Sequence, residues 1–191
     1  MEKWNRFFYQ PCLVLGKNRT RVTGCKEHIQ LSRQAAAEGM VLLKNENEML
    51  PFGRGQKLAL FGKGTIDYVK GGGGSGDVTV AYTRNLYEGF KIKEAEGKVQ
   101  IYEPAADFYK KEVEQQYQEG IAPGMTVEPE IPQELLAGAR AYTDTAVISI
   151  CRYSGEGWDR KSSFDTAGGE GDYEEALVKR SSQIFERGDF Y

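Results

Sequence analysis

The chain has 191 residues, 23 of them Gly, and carries 25 Lys and Arg against 28 Asp and Glu for a formal net charge of −3. Hydrophobic residues make up 40% before Gly is counted, which places the apolar share in the ordinary globular range of about 45–50% and excludes a wholly disordered chain; the absence of a Gly-X-Y period excludes collagen. Gly is useful only where the backbone needs freedom or close approach, so its excess directs attention to loops.

Residues 1–31 lack a clean hydrophobic period and read as an irregular lead-in, punctuated by Pro11, Gly16, Asn18 and Gly24. From Ser32, Ala36, Met40 and Leu43 recur at i, i+4 and i+7, which predicts a helix over 32–45 capped by Ser32. LALFG at 58–62 is an apolar run of strand length. Beyond the Gly-rich stretch 71–76, a short helix is predicted over 83–91 and a strand at 99–103, closed by Pro104. Tyr109, Val113 and Tyr117 mark the apolar stripe of a second helix, and 121–130 is a Pro-containing connector. Pro132 suits the first turn of a third helix, with Leu135, Ala139 and Tyr142 on one face. TAVISIC at 145–151 is apolar and β-branched on both faces, as a central parallel strand requires. A last helix is predicted over 173–187, ending at Gly188. Strands separated by helices imply an α/β fold with an open, mostly parallel sheet and flanking helices.

Charge and address exclude some function classes. Residues 1–84 carry 13 Lys and Arg against 7 Asp and Glu, leaving 12 against 21 beyond them. The charges are scattered singly without a basic stripe, which argues against nucleic acid as a partner. No apolar stretch approaches the roughly 18 residues of a membrane span, and the N-terminus lacks an export signal. The expected location is therefore the cytoplasm. Cys12, Cys25 and Cys151 form an odd set without metal-ligand spacing. No metal and no cofactor are expected.

In an open parallel sheet, ligands meet the loops at the carboxyl ends of the strands. Two of the predicted strands run into Gly-rich loops there. GGGGSGD at 71–77 can turn sharply and aim backbone N–H groups at an oxygen, but no phosphate-loop string is present, and Asp67 stands where a dinucleotide fingerprint starting at Gly62 and Gly64 needs its third Gly. SGEGWDR at 154–160 is richer. Glu156 lies between two glycines just past a strand, Trp158 offers a flat face of the kind that stacks on sugar rings, and Asp159 and Arg160 can hydrogen-bond hydroxyls. An aromatic neighbour that desolvates a carboxyl raises its pKa, and a carboxylic acid of that kind protonates the leaving oxygen in glycosidic bond cleavage. The competing reading is a solvated acidic loop, continued by Asp165, Glu170 and Asp172. His28 is the only histidine, so no Ser-His-Asp or Cys-His apparatus is supported. Cys151 reads as a small core residue.

Taken in order, SRQAAAEGMVLLKNE (32–46), MLPF (49–52), KLALFGKGT (57–65), KGGGGSGDV (70–78), TAVISICRYSGEGWDR (145–160) and GDFY (188–191) give a chain that resembles the α/β-sandwich domain of glycoside hydrolase family 3. The resemblance implies a retaining β-glycosidase, β-glucosidase-like, whose pocket is shared by two domains: a barrel carrying an aspartate nucleophile, and this sandwich, which supplies the acid/base glutamate. By motif match that glutamate is Glu156, with Asp159 and Glu170 in reserve. Trp158, Asp159 and Arg160 would shape the aglycone side, and Lys70, Ser75 and Asp77 belong to a rim loop facing the same pocket. A carbohydrate substrate and a barrel domain are the implied partners. The sequence contains no barrel, so residues 32–191 read as a partial, truncated sandwich at the N-terminal side of a longer enzyme, inactive by itself. The alternative is a non-catalytic sugar-binding or structural module.

Overall fold

The computed structural model describes residues 25–71, 74 and 82–151. The chain divides into two compact units, 1–44 and 45–191. In the first, helix α1 spans Lys26–Glu38 with Cys25 at its N-cap. It begins six residues before the predicted start, because Lys, Glu, Gln and Leu ahead of Ser32 are good helix formers and Glu27 sits in the first turn, where a negative charge favours the helix dipole. Ser32 is interior. The helix also stops at Gly39, whose N–H bonds the Ala35 carbonyl at 2.9 Å. Gly costs about 1 kcal/mol against Ala inside a helix, and Met40 and Leu43, at 77% and 92% exposed, supply no burial to offset it.

The second unit holds a three-stranded parallel sheet in the order β2-β1-β3, formed by β1 (Gln56–Phe61), β2 (Val99–Ile101) and β3 (Ala146–Ile148). Leu58 pairs with Ile101 on one side of β1, and Leu60 with Val147 on the other. Leu58, Ala59, Leu60 and Phe61 are fully buried. Because side chains alternate across a strand, Ala59 and Phe61 face one core with Ala105, Tyr109, Ile131, Leu136 and Ala139. Leu58 and Leu60 face the other with Val99 and Ile101, Tyr87 and Phe90 packing against them. Helices α3 (Glu103–Gln118) and α4 (Gln133–Tyr142) thus cover one face, and α2 (Leu86–Ala95) the other. This is the α/β architecture with flanking helices that the sequence implies.

Four local expectations are corrected. Among the described strands the central one is β1, not β3; Ala146, Val147 and Ile148 are only half-buried, with β1 as their one described neighbour. Helix α2 starts at Leu86 rather than Thr83, behind a capping box in which Glu88 N–H donates to Asn85 Oδ1 at 2.9 Å and Asn85 N–H to Glu88 Oε2 at 3.0 Å. Strand β2 ends at Ile101, and Pro104 lies in the first turn of α3, where its missing N–H costs nothing. Pro132 is the N-cap of α4 rather than its first residue. The helix predicted over 173–187 lies outside the described residues.

The crossover from β2 to β3 is a helical hairpin. Thr143 Oγ1, just past α4, donates to the Lys57 carbonyl at 2.7 Å near the amino end of β1. Tyr117, near the end of α3, donates to Asp67 beyond the carboxyl end of β1 at 2.7 Å. The connector 121–130 therefore sits at the end of the sheet where loop chemistry is expected.

Candidate functional site

At the carboxyl end of β1 the chain turns on Gly62, with φ +91°. Thr65 N–H donates to the Gly62 carbonyl at 2.9 Å, and Thr65 Oγ1 donates to the Phe61 carbonyl at 3.1 Å. Ser149 N–H donates to the same Phe61 carbonyl at 2.8 Å, so the β1 and β3 backbones stay together past the last paired residues. A Cβ placed on Gly64 would lie 2.9 Å from the Ser149 carbonyl oxygen and 3.0 Å from Cys151 Cβ. The carboxyl ends of β1 and β3 accordingly lie side by side, as adjacent strands of the sheet.

Of the residues assigned to those loops, Lys70 is described and exposed. Ser75, Asp77, Glu156, Trp158, Asp159 and Arg160 lie outside the described residues, as do Asp165, Glu170 and Asp172. The first loop is followed to Gly71 and the second to Cys151, which is buried.

Just past the carboxyl end of β1 lies a buried polar cluster that the sequence pattern does not announce. Asp67 is 2% exposed. Its Oδ1 accepts from Tyr117 Oη and from Gly124 N–H, both at 2.7 Å, and its Oδ2 accepts from the Thr126 hydroxyl. Lys63, also buried, donates from Nζ to the Gly124 carbonyl at 3.5 Å and to the Thr126 carbonyl. Lys63 N–H donates to Glu128 Oε2 at 2.7 Å, and Tyr109 Oη to Glu128 Oε1 at 2.8 Å. Burial and the Glu128 charge push the Tyr109 hydroxyl well above its ordinary range. Burial and the Asp67 bond do the same to Tyr117. Both phenols are thus neutral donors that hold carboxylates, an arrangement suited to fixing backbone rather than exchanging protons. The available signal was the i, i+4 spacing of Lys63 and Asp67 right after a buried strand, with Thr126 and Glu128 alternating in the connector.

A second concavity lies at the opposite end of the sheet. It is an open cleft of about 400 Å³ lined by Arg54, Gly55, Gln56, Lys57, Tyr142, Thr143 and Asp144. Its place at the amino end of β1 is the end of a parallel sheet that ligand sites avoid. Among the described residues no group of three or more His, Cys, Asp or Glu is arranged to hold a metal ion, and no helix is long and apolar enough to cross a membrane.

Comparison with known proteins bears on the whole chain. A model of the glycosyl hydrolase family 3 C-terminal domain matches residues 40–185. Beta-glucosidase A of Butyrivibrio fibrisolvens is 53% identical over 194 aligned residues, covering 100% of this chain and 23% of that protein. Thermostable beta-glucosidase B of Acetivibrio thermocellus is 43% identical over 70 residues, 37% of this chain and 9% of that protein. Among solved structures, beta-glucosidase 3B from Thermotoga neapolitana in complex with alpha-D-glucose superposes with a TM-score of 0.70 at 32% identity, over 88% of this chain and 24% of that one. The chain thus spans about a quarter or less of the length of each of these relatives.

Proposed function

The chain belongs to the glycosyl hydrolase family 3 C-terminal domain family, and from that membership we propose that it is the acid/base-bearing domain of a retaining β-glucosidase acting on terminal β-linked sugars. The observation that carries the reading is the contact between Gly62 and Gly64 after β1 and Ser149 and Cys151 after β3. It brings the carboxyl ends of β1 and β3 together, and Lys70, Ser75 and Asp77 follow the first in sequence as Glu156, Trp158, Asp159 and Arg160 follow the second.

In this reading Glu156 first acts as a general acid. Its proton goes to the glycosidic oxygen as the bond to the anomeric carbon breaks, while an aspartate on a barrel domain elsewhere in the longer polypeptide attacks that carbon. The resulting Glu156 carboxylate then takes a proton from water, which attacks the anomeric carbon and releases the sugar with retained configuration. The two carboxyl groups must stand about 5–5.5 Å apart for this double displacement. Glu156 needs a raised pKa to be protonated at the first step, and the flat face of Trp158 supplies the desolvation. Asp159 and Arg160 hold aglycone hydroxyls, and Lys70, Ser75 and Asp77 form the facing rim. The domain alone lacks a nucleophile and does not turn over.

The test is Glu156→Gln in the longer polypeptide. General acid catalysis contributes about 10²- to 10⁴-fold, so kcat/KM for phenyl β-glucoside falls by that order. Dinitrophenyl β-glucoside, whose leaving group departs without protonation, keeps most of its kcat/KM. Equal losses on both substrates, or none on either, overturn the assignment.

A further inference from the structure

We propose that Asp67 and Glu128 are positioning residues for the acid/base loop, clamping the tip of the α3–α4 hairpin onto the exit of β1 so that the neighbouring exit of β3 is held in one place. The inference rests on the reading of Glu156 given above. It is carried by contacts among described residues that reach as far as Cys151.

The connector between α3 and α4 has no helix or strand of its own between Glu119 and Pro132. Asp67 fixes it at two points, Gly124 N–H and the Thr126 hydroxyl, while Tyr117 anchors the same carboxylate to the end of α3. Glu128 takes the Lys63 N–H from the other direction and is itself held by Tyr109, a fully buried residue of α3. The Lys63 side chain closes the set on the carbonyls of Gly124 and Thr126. Two carboxylates thus tie residues 63–67 to residues 124–128 across sequence separations of 57 to 65.

Residues 62–64 in turn form the surface on which Ser149 and Cys151 rest. The layers fit closely, because a Cβ added at Gly62 or Gly64 would lie 2.3 Å or 2.9 Å from the Ser149 carbonyl oxygen. Movement of 62–67 is passed to 149–151, and Glu156 follows Cys151 by five residues. Close-packed interiors transmit small displacements in this way. A shift of about 1 Å in a reacting group costs as much as about 10²-fold in rate.

The clamp predicts a defect confined to the step that needs the acid. In the longer polypeptide, Asp67→Asn removes the charge and one acceptor while keeping the volume. It should lower kcat/KM for phenyl β-glucoside by about tenfold or more and leave dinitrophenyl β-glucoside within about threefold, with the acid limb of the pH profile unmoved. Glu128→Gln should repeat the pattern. Thr126→Val, which deletes only the hydroxyl on Asp67 Oδ2, carries the test if either carboxamide variant fails to fold. A loss of folded protein lowers both substrates equally, so equal losses, or no loss on either, overturn the proposal. Glu156→Gln is assayed alongside. If it shows the leaving-group dependence and the clamp variants do not, only the clamp fails; if it shows none, the acid/base reading fails and the clamp with it.

Discussion

Gly62 and Ser149 approach so closely that a Cβ on Gly62 would lie 2.3 Å from the Ser149 carbonyl oxygen. The exits of two neighbouring strands are packed backbone against backbone, with no side chain between them. This contact brings the carboxyl ends of β1 and β3 together, and it gives part of the Gly excess a mechanical purpose.

Replacing Gly62 by Ala tests that contact. The position has φ +91°, and the new Cβ meets backbone that cannot yield cheaply. Strain of this kind costs about 1–3 kcal/mol before the clash is counted, so Tm should drop by about 5 °C or more for a chain of this length. Gly89→Ala is the control, since that glycine lies inside α2 with nothing within 4 Å of its added Cβ. It should be neutral or stabilising by up to about 1 kcal/mol. Paired thermal melts read both, and equal Tm values for the two variants would show that the contact carries no load.

Glu94 makes a second, pH-dependent case. Its carboxylate accepts at 2.8 Å from the N–H of Ile101, the last residue of β2, and from Lys91 Nζ. Burial raises its pKa, but the Lys91 and Ile101 bonds outweigh burial and hold the carboxyl below its ordinary value of 4.5. Because the folded pKa is the lower one, the unfolded chain takes up the proton first. The stabilisation is therefore complete above the ordinary value and is lost as pH falls through the depressed one. The side chain is 26% exposed, so Glu94→Gln should cost only about 1 kcal/mol at neutral pH. Denaturant unfolding should show that difference shrinking as pH falls below the ordinary value and through the depressed one. A difference that persists unchanged in acid contradicts the argument.

Much of this was legible in the sequence, and the parts that were not share a cause. LALF is an apolar run of strand length and is buried on both faces as β1; Tyr109 and Val113 recur four apart and are buried on α3. The ordered motifs pointed to the family that residues 40–185 match. The β-branched TAVISIC run has the composition of a central strand, but composition reports burial on both faces and says nothing of strand order, which the crossovers set. The start of α1 was misplaced because Ser32 has the chemistry of a cap but stands among residues that propagate a helix on either side. Asp67 was noticed only as a residue that spoils a dinucleotide motif. Its partners, Gly124 and Thr126, are 57 and 59 residues away, and no local pattern announces a carboxylate that will be buried by a hairpin tip.

The central claim is that Glu156 is the acid/base of a retaining β-glucosidase, and azide reads it most directly. In the longer polypeptide, Glu156→Ala should leave a glycosyl-enzyme that water attacks slowly, because no base remains to activate it. Azide needs no such base and should restore turnover of dinitrophenyl β-glucoside, releasing the β-glucosyl azide by attack on the face opposite the nucleophile. Absence of rescue at saturating azide, or an α-glucosyl azide product, contradicts the account.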